Sequence, residues 1–565
     1  MSETKTNDKA TSTVKIAPNL KKQNLIETIC SYGVTILALI FFGYVAIFSV
    51  LYTSTIDPNN FAGEVILYNS DDIIINLFFL GIFFALAFGL RRYANVFKRV
   101  NDKILMGALA LYTVTLGFIW IFMTQSIPAA DSGVLYKTAC DIINGDWTSF
   151  TTSNNEFYNN VSYYQLYPFQ LGFVFISEII YRIFGCETAM AMQVFNVLAL
   201  AALYVGLLCI GKKIFNSKAV TFIMTFMLAG CLQAIFFTSF TYGNIIGFSA
   251  GVWAAYFVIS FMQSEKAKKY LLLIPAALLM ALSVVTKYNN MIWFAAISIG
   301  LIIYVIKSKK WIYLLSVVFI GVITIGSFNL VILGYESRSG VELGDGVSQL
   351  LYFDAGINES SMAPGWYNNI SKNTYLNADC DSQLAEETAK ASISERAKVF
   401  SSDFKYAYSF FSEKVLSQWN EPTYESLWVS QVKNHYNGDV TDGTLLYSIY
   451  NGNWNKFFNG YFDVFQMISF ILFSIGMIGL MRKKCSAETI TIITALIGGY
   501  LYHLLFEAKS QYILTYFILI VFFASYGLYY LLKPRTFGKR KKANGKKTIG
   551  EYIINTAEKI DSKTR

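Results

Sequence analysis

Residues 25–52 read LIETICSYGVTILALIFFGYVAIFSVLY, and Glu27 is the only charged side chain among them. A helix rises about 1.5 Å per residue, so about 20 apolar residues cross the roughly 30 Å of hydrocarbon in a bilayer. This stretch is long enough to span. Twelve more of the same kind follow, at 73–90, 104–123, 167–184, 189–210, 219–240, 245–262, 270–282, 291–306, 311–333, 462–481, 490–506 and 512–532. The pattern predicts a polytopic α-helical membrane protein with about 12–13 transmembrane helices. Composition agrees: 54% of the 565 residues are hydrophobic and only 15% charged, against about 25% charged in soluble domains. A cytosolic enzyme, a disordered chain and a nucleic-acid binder are thereby excluded. The net charge of +9 is nearly accounted for by residues 533–565, which hold eleven Lys/Arg against three Asp/Glu. No signal peptide is expected, because the polar, Lys/Thr-rich start is long and the apolar run after it spans.

Basic residues in short loops mark the cytoplasmic side. By that rule the N-terminus (Lys15, Lys21, Lys22), the loop 91–103, the loops at 212–218, 266–269, 307–310 and 482–484, and the tail 533–547 all lie inside. Two cytoplasmic termini require an even number of crossings, and thirteen is odd. The mismatch falls between Ser126 and Ile210, and the suspect is 167–184, as a half-embedded helix or as the partner of a dipping loop. The resulting organisation is a basic cytoplasmic N-terminus (1–24), helices 1–3 (25–125), a first large outer loop (126–165), helices 4–10 (166–333), an extracytoplasmic domain (334–461), the last three helices (462–532) and a basic cytoplasmic tail (533–565). Residues 336–456 carry sixteen Asp/Glu and nine Lys/Arg. An amphipathic reading over 382–415 makes that acidic outer domain α-rich.

The helix centres are almost free of charge, which disfavours an ion pathway. The charged and polar oddities gather at the outer helix ends instead. Asp131 follows directly on a membrane exit, where a carboxylate could take a proton from an acceptor hydroxyl; its plain alternative is a helix N-cap. Tyr163, Tyr164 and Tyr167 border the same stretch, and plain belt anchoring explains such aromatics equally well. Asn244, Lys287, Glu507 and Lys509 sit in three other outer turns, where snorkelling is the bland reading. Lys287 is a lone cation on the outer side and so a candidate for a phosphate. With two histidines and no CxxC among seven cysteines, a zinc site is not expected. The carboxylates would suit a hard divalent cation with oxygen ligands, and the cofactor stays open. Whether Cys140 pairs with Cys380 is open too.

In the order Asp131, Tyr136, Tyr167-Pro168, Ile183-Phe184-Gly185 and, much later, Glu507 with Tyr512, the sequence resembles the GT-C superfamily of membrane glycosyltransferases. The likeness is to the bacterial relatives of protein O-mannosyltransferases and of the lipid A aminoarabinose transferase, and it runs over about residues 104–532. Ser132, Phe169 and Gln511 depart from the usual acidic residue, second proline and arginine. The 25–90 region looks like an added pair of helices. The resemblance implies a sugar moved from a polyprenyl-phosphate donor to a surface glycan or wall-polymer acceptor on the extracytoplasmic face, with inversion. Asp131 would be the base, Lys287 and Lys509 the phosphate contacts, and Asn244, Glu507 and Tyr136 the orienting groups. Tyr163, Tyr164 and Tyr167 would line the groove. A polysaccharide polymerase or ligase using a lipid diphosphate, and a lipid-linked glycan transporter, are the alternatives.

Overall fold

The computed structural model describes residues 25–91, 100–151, 161–435, 440 and 443–533. The termini used for orientation and most of the 91–103 loop lie outside the described residues. Eleven helices are long and apolar enough to span, and the bent pair Lys218–Gly230 and Leu232–Ser239, meeting at 52°, makes a twelfth if it forms one span. The chain is thus a polytopic α-helical membrane protein, and thirteen spans is corrected to eleven or twelve. The excess is the 167–184 stretch. Pro168 removes a backbone donor and opens a short 3-10 turn, so the α-helix runs only over Leu171–Phe184. Fourteen residues cover about 21 Å, too little for a bilayer. Counting the bent pair as one span gives twelve, the even number expected from the loop charges.

Local chemistry sets where the helices begin. Asp72 accepts from the amides of Ile74 (2.9 Å) and Ile75 (3.3 Å) and starts Ile73–Leu90. Ser217 Oγ accepts from Val220 N (3.5 Å) and starts Lys218–Gly230. At the centre stands Ser510–Leu532, buried along nearly its whole length. It packs tightly on Asn453–Lys483 because Gly476 and Gly527 face each other there; a methyl group at Gly527 would run into the Leu472 carbonyl. The outermost helix, Ile73–Leu90, leaves Ile74, Phe78 and Leu86 exposed, as a lipid-facing surface does.

The two ends of the bundle differ. At one end Glu27 pairs with Lys307 (2.8 Å) and accepts from Ala487 N (3.0 Å), while Lys212 pairs with Asp102 (2.7 Å). These are the ends read as cytoplasmic from basic loops. The other end carries the 334–461 segment, expected to be the outer domain, in which Ser382–Ser402 and Phe404–Trp419 break at Asp403, whose carboxylate caps the second helix at Tyr406 N (2.9 Å). The first two helices are joined by an antiparallel hairpin, β1 (Tyr52–Ile56) with β2 (Ile66–Ser70), in register Tyr52↔Ser70. It docks on the outer domain through Ser54 N to Asn420 O (3.1 Å) and Ile66 N to Met362 O (3.0 Å). The sequence reading had the two helices but not this hairpin.

Candidate functional site

Asp131 lies in the first turn of the Ala130–Ile143 helix. It does not cap that helix. Ala129 holds the N-cap position, and Ser132 Oγ donates to its carbonyl (2.8 Å) and accepts from its amide (3.3 Å), so the N-cap alternative for Asp131 does not hold. Ala130 just before it has φ +49°, a left-handed conformation that costs a side-chain-bearing residue about 1 kcal/mol and is retained where surrounding packing fixes it. The Asp131 carboxylate is thereby free to reach across the bundle. Its Oδ2 accepts from the Tyr242 hydroxyl at 3.4 Å, and the Tyr163 side chain lies close enough to favour the charged carboxylate. Gln170 Nε2 donates to the Tyr242 oxygen, which directs the phenolic proton toward Asp131. Tyr242 gets this close through Gly243, whose φ of +75° and close approach to the Thr286 carbonyl leave no room for a Cβ.

Lys287 follows the Leu273–Thr286 helix and approaches from the opposite side. Its Nζ lies 3.7 Å from the Tyr242 ring centroid and 5.6 Å from that of Tyr512, in cation–π contact. Among the described residues no carboxylate comes within 4.0 Å of it in an ion pair. The third contributor is the turn Phe506-Glu507-Ala508-Lys509 between the last two spans. Glu507 N donates to Tyr352 O (3.2 Å) and Ala508 N to Gly365 O (3.0 Å). Lys414 Nζ, fully buried, donates to the carbonyls of Phe506 (2.8 Å) and Gly356. Lys509 pairs with Glu64 of the hairpin at 2.5 Å, and Ser510 Oγ donates to Glu425 at 2.8 Å.

Asp131 is reachable by solvent although protein surrounds it, and Lys287, Glu507 and Lys509 are part-exposed in the same manner. The groups therefore line a crevice rather than a flat face. Burial raises the Asp131 carboxyl above its usual range, against the pull of Lys509 and Lys287. Burial likewise pulls the Lys287 ammonium down to about 7, against Asp131 and Glu507. Glu507 is pushed up to about 7, first by burial, with Lys509 opposing and Asp131 adding to the rise. Burial and then Glu64 push Glu425 up to about 8. Asp131, Lys287, Glu507 and Lys509 thus sense one another directly. Among the described residues no three metal-ligating side chains are grouped to hold an ion. The donor set does not fit a divalent cation, and no step below runs through one.

The structure gathers Asp131, Tyr163, Lys287, Glu507 and Lys509 into this crevice. Tyr167 borders it, its ring 5.0 Å from that of Tyr163. Asn244 sits beside it, donating to Gln511 O at 3.4 Å where the last span begins. Two residues expected here are elsewhere. Tyr136 donates its hydroxyl to Cys186 O (2.6 Å) and packs on Tyr181, because it lies on another face of its helix than Asp131. Tyr164 is wholly buried with its ring 5.0 Å from Phe150, about 100° around the helix from Tyr163. Cys140 neighbours Cys186 rather than Cys380, and all seven cysteines are free thiols. Cys380 instead lines a hollow of about 460 Å³ with Glu342, Asp345 and Asp381, which contains none of the crevice groups. Sequence reasoning missed Glu64, Tyr352, Lys414 and Glu425. Tyr242 had a signal, since its turn Thr241-Tyr-Gly-Asn244 is polar between two apolar runs.

No protein-family model matches the chain, and no curated protein matches it. Among solved structures it is similar to the oligosaccharyltransferase AglB from Archaeoglobus fulgidus in complex with an inhibitory peptide and a dolichol-phosphate. That likeness has 13% identity and a TM-score of 0.40, over 82% of this chain and 54% of the other. It is also similar to ArnT from Cupriavidus metallidurans bound to undecaprenyl phosphate, with 14% identity and a TM-score of 0.32, over 75% and 77%. The chain spans about half the length of the archaeal oligosaccharyltransferase it matches.

Proposed function

We propose that the chain is a multi-pass membrane glycosyltransferase that moves a sugar from a polyprenyl-phosphate donor to an acceptor hydroxyl on the extracytoplasmic face. One observation carries the reading: Asp131 and Lys287 share a single side chain, the carboxylate on the Tyr242 hydroxyl and the ammonium over its ring. A base and a cation on the same tyrosine, in a crevice at the helix ends, suit a neutral nucleophile attacking one side of a sugar whose phosphate leaves on the other. The acceptor oxygen forms the new bond to the anomeric carbon, and Asp131 takes its proton. The bond from that carbon to the phosphate oxygen breaks, and its electron pair stays on the phosphate, beside Lys287. Attack and departure on opposite faces invert the anomeric centre. A lipid phosphate is a good leaving group, so one base and cationic stabilisation suffice. Lys509 adds positive charge at the edge of the crevice, while Glu507 and Asn244 orient the sugar, and Tyr163 and Tyr167 wall the groove. The acceptor class is a surface glycan or wall polymer.

The test is a cell-surface glycan assay on Asp131→Asn beside Lys287→Met. Loss of the glycosidic linkage in both, at normal protein level, is the expected result. Full transfer by Asp131→Asn would remove the base, and with it this reading.

A further inference from the structure

The two lysines of the crevice are not equivalent. Lys287 has no ion-pairing carboxylate among the described residues, and its ammonium rests on aromatic rings. Lys509 is held by Glu64 at 2.5 Å, faces Glu425 and Glu507 as well, and acts on Asp131. Glu64 comes from the hairpin between the first two helices, far from Lys509 in sequence. Several features show that the hairpin is built to deliver it. Glu64 has φ +53°, in the left-handed region, and is 5% exposed. Ile66, two residues on, packs with Ala363, Trp366 and Ala508, so the hairpin touches the very turn that carries Lys509. The Tyr68 hydroxyl donates to Glu413 O (3.1 Å), and Asn420 Nδ2 donates to Tyr52 O (2.6 Å), which fixes the hairpin on the outer domain. One oxygen of Glu64, Oε1, is buried without a hydrogen-bond partner.

The geometry points to Glu64 as a specificity-determining residue that masks Lys509, leaves Lys287 as the crevice lysine with no ion-pairing carboxylate among the described residues, and so sets the site for a lipid monophosphate over a lipid diphosphate. The inference rests on the transferase reading and narrows its donor. A monophosphate brings one phosphoryl group, which one unpaired ammonium can meet. A diphosphate brings a second, which needs a second free cation. With Glu64 in place, that second phosphoryl group would meet Glu64, Glu425 and Glu507 around an already neutralised Lys509. Removing the Glu64 charge frees Lys509 and adds one net positive charge where the second phosphoryl group would lie.

The experiment measures binding of undecaprenyl phosphate and undecaprenyl diphosphate to the full chain in lipid nanodiscs. The variants are Glu64→Gln and the double variant Glu64→Gln/Lys509→Met, each checked for native elution and thermal transition. The wild type is expected to favour the monophosphate. In Glu64→Gln the ratio of affinities should move toward the diphosphate by about tenfold, equivalent to about 1.4 kcal/mol. The double variant should lose that gain, because the freed ammonium is gone. An unchanged ratio in a folded Glu64→Gln protein, or equal weakening of both lipids, overturns the assignment of Glu64 and leaves the transferase reading standing. A wild type that binds neither lipid overturns that reading itself, and the present inference falls with it.

Discussion

Lys287→Arg should make the alkaline decline in lipid-phosphate binding shallower. In the free protein burial holds the Lys287 ammonium at about 7, so at pH 7 about half the molecules carry the charge that meets the phosphate. Each further pH unit removes about nine tenths of the remaining charged form. Above pH 7 a phosphate monoester has completed most of its second ionisation, so the ligand's own charge changes little. The association constant for undecaprenyl phosphate should therefore fall about tenfold between about pH 7.5 and pH 8.5 in the wild type. An arginine stays charged throughout that range and can stack on the Tyr242 and Tyr512 rings as the lysine does. Asp131, Glu507, Tyr242 and Tyr512 face Lys287 in both proteins, so their titrations are common to the two curves. Tryptophan-quenching titrations in nanodiscs, run at fixed ionic strength, read the constant directly. A decline equally steep in Lys287→Arg would refute the argument, because the titrating group would then be some other residue.

Asp131→Asn should lower sugar transfer by about 10²–10⁴-fold while retaining lipid-phosphate binding, since the base acts on the acceptor and not on the donor; single-turnover transfer beside a binding titration checks both halves. Lys414→Met leaves the carbonyls of Phe506 and Gly356 without their buried donor, at about 1–3 kcal/mol each. A lower thermal transition and weaker lipid binding are expected together, because the same turn carries Glu507 and Lys509. Gly527→Ala places a methyl group against the Leu472 backbone; overpacking of about 1–3 kcal/mol should lower the melting temperature without altering the affinity of the protein that remains folded.

The spans were legible because a bilayer imposes length and apolarity on each helix separately. The one failure, 167–184, came from counting apolar residues across Pro168, where the backbone loses a donor and the α-helix starts only at Leu171. Positions at the crevice were legible for Asp131, Lys287, Glu507 and Lys509, since charge at an outer helix end is conspicuous in an apolar chain. Partners were not. Glu64 and Lys509 are 445 positions apart, and nothing in either local stretch marks the pairing. Tyr163 and Tyr164 are adjacent and chemically identical, so only the helical rotation that sends one to Asp131 and the other to Phe150 tells them apart. Lys414 looks like any surface lysine of an acidic domain until the fold buries it under the Phe506 turn.

The most direct measurement is a cryo-EM reconstruction of the full chain with undecaprenyl phosphate. The account predicts the phosphate within about 4 Å of Lys287 Nζ, on the side of the crevice facing Asp131, with Lys509 still on Glu64. Phosphate density at the opposite end of the bundle, beside Lys212 or Lys307, would contradict it.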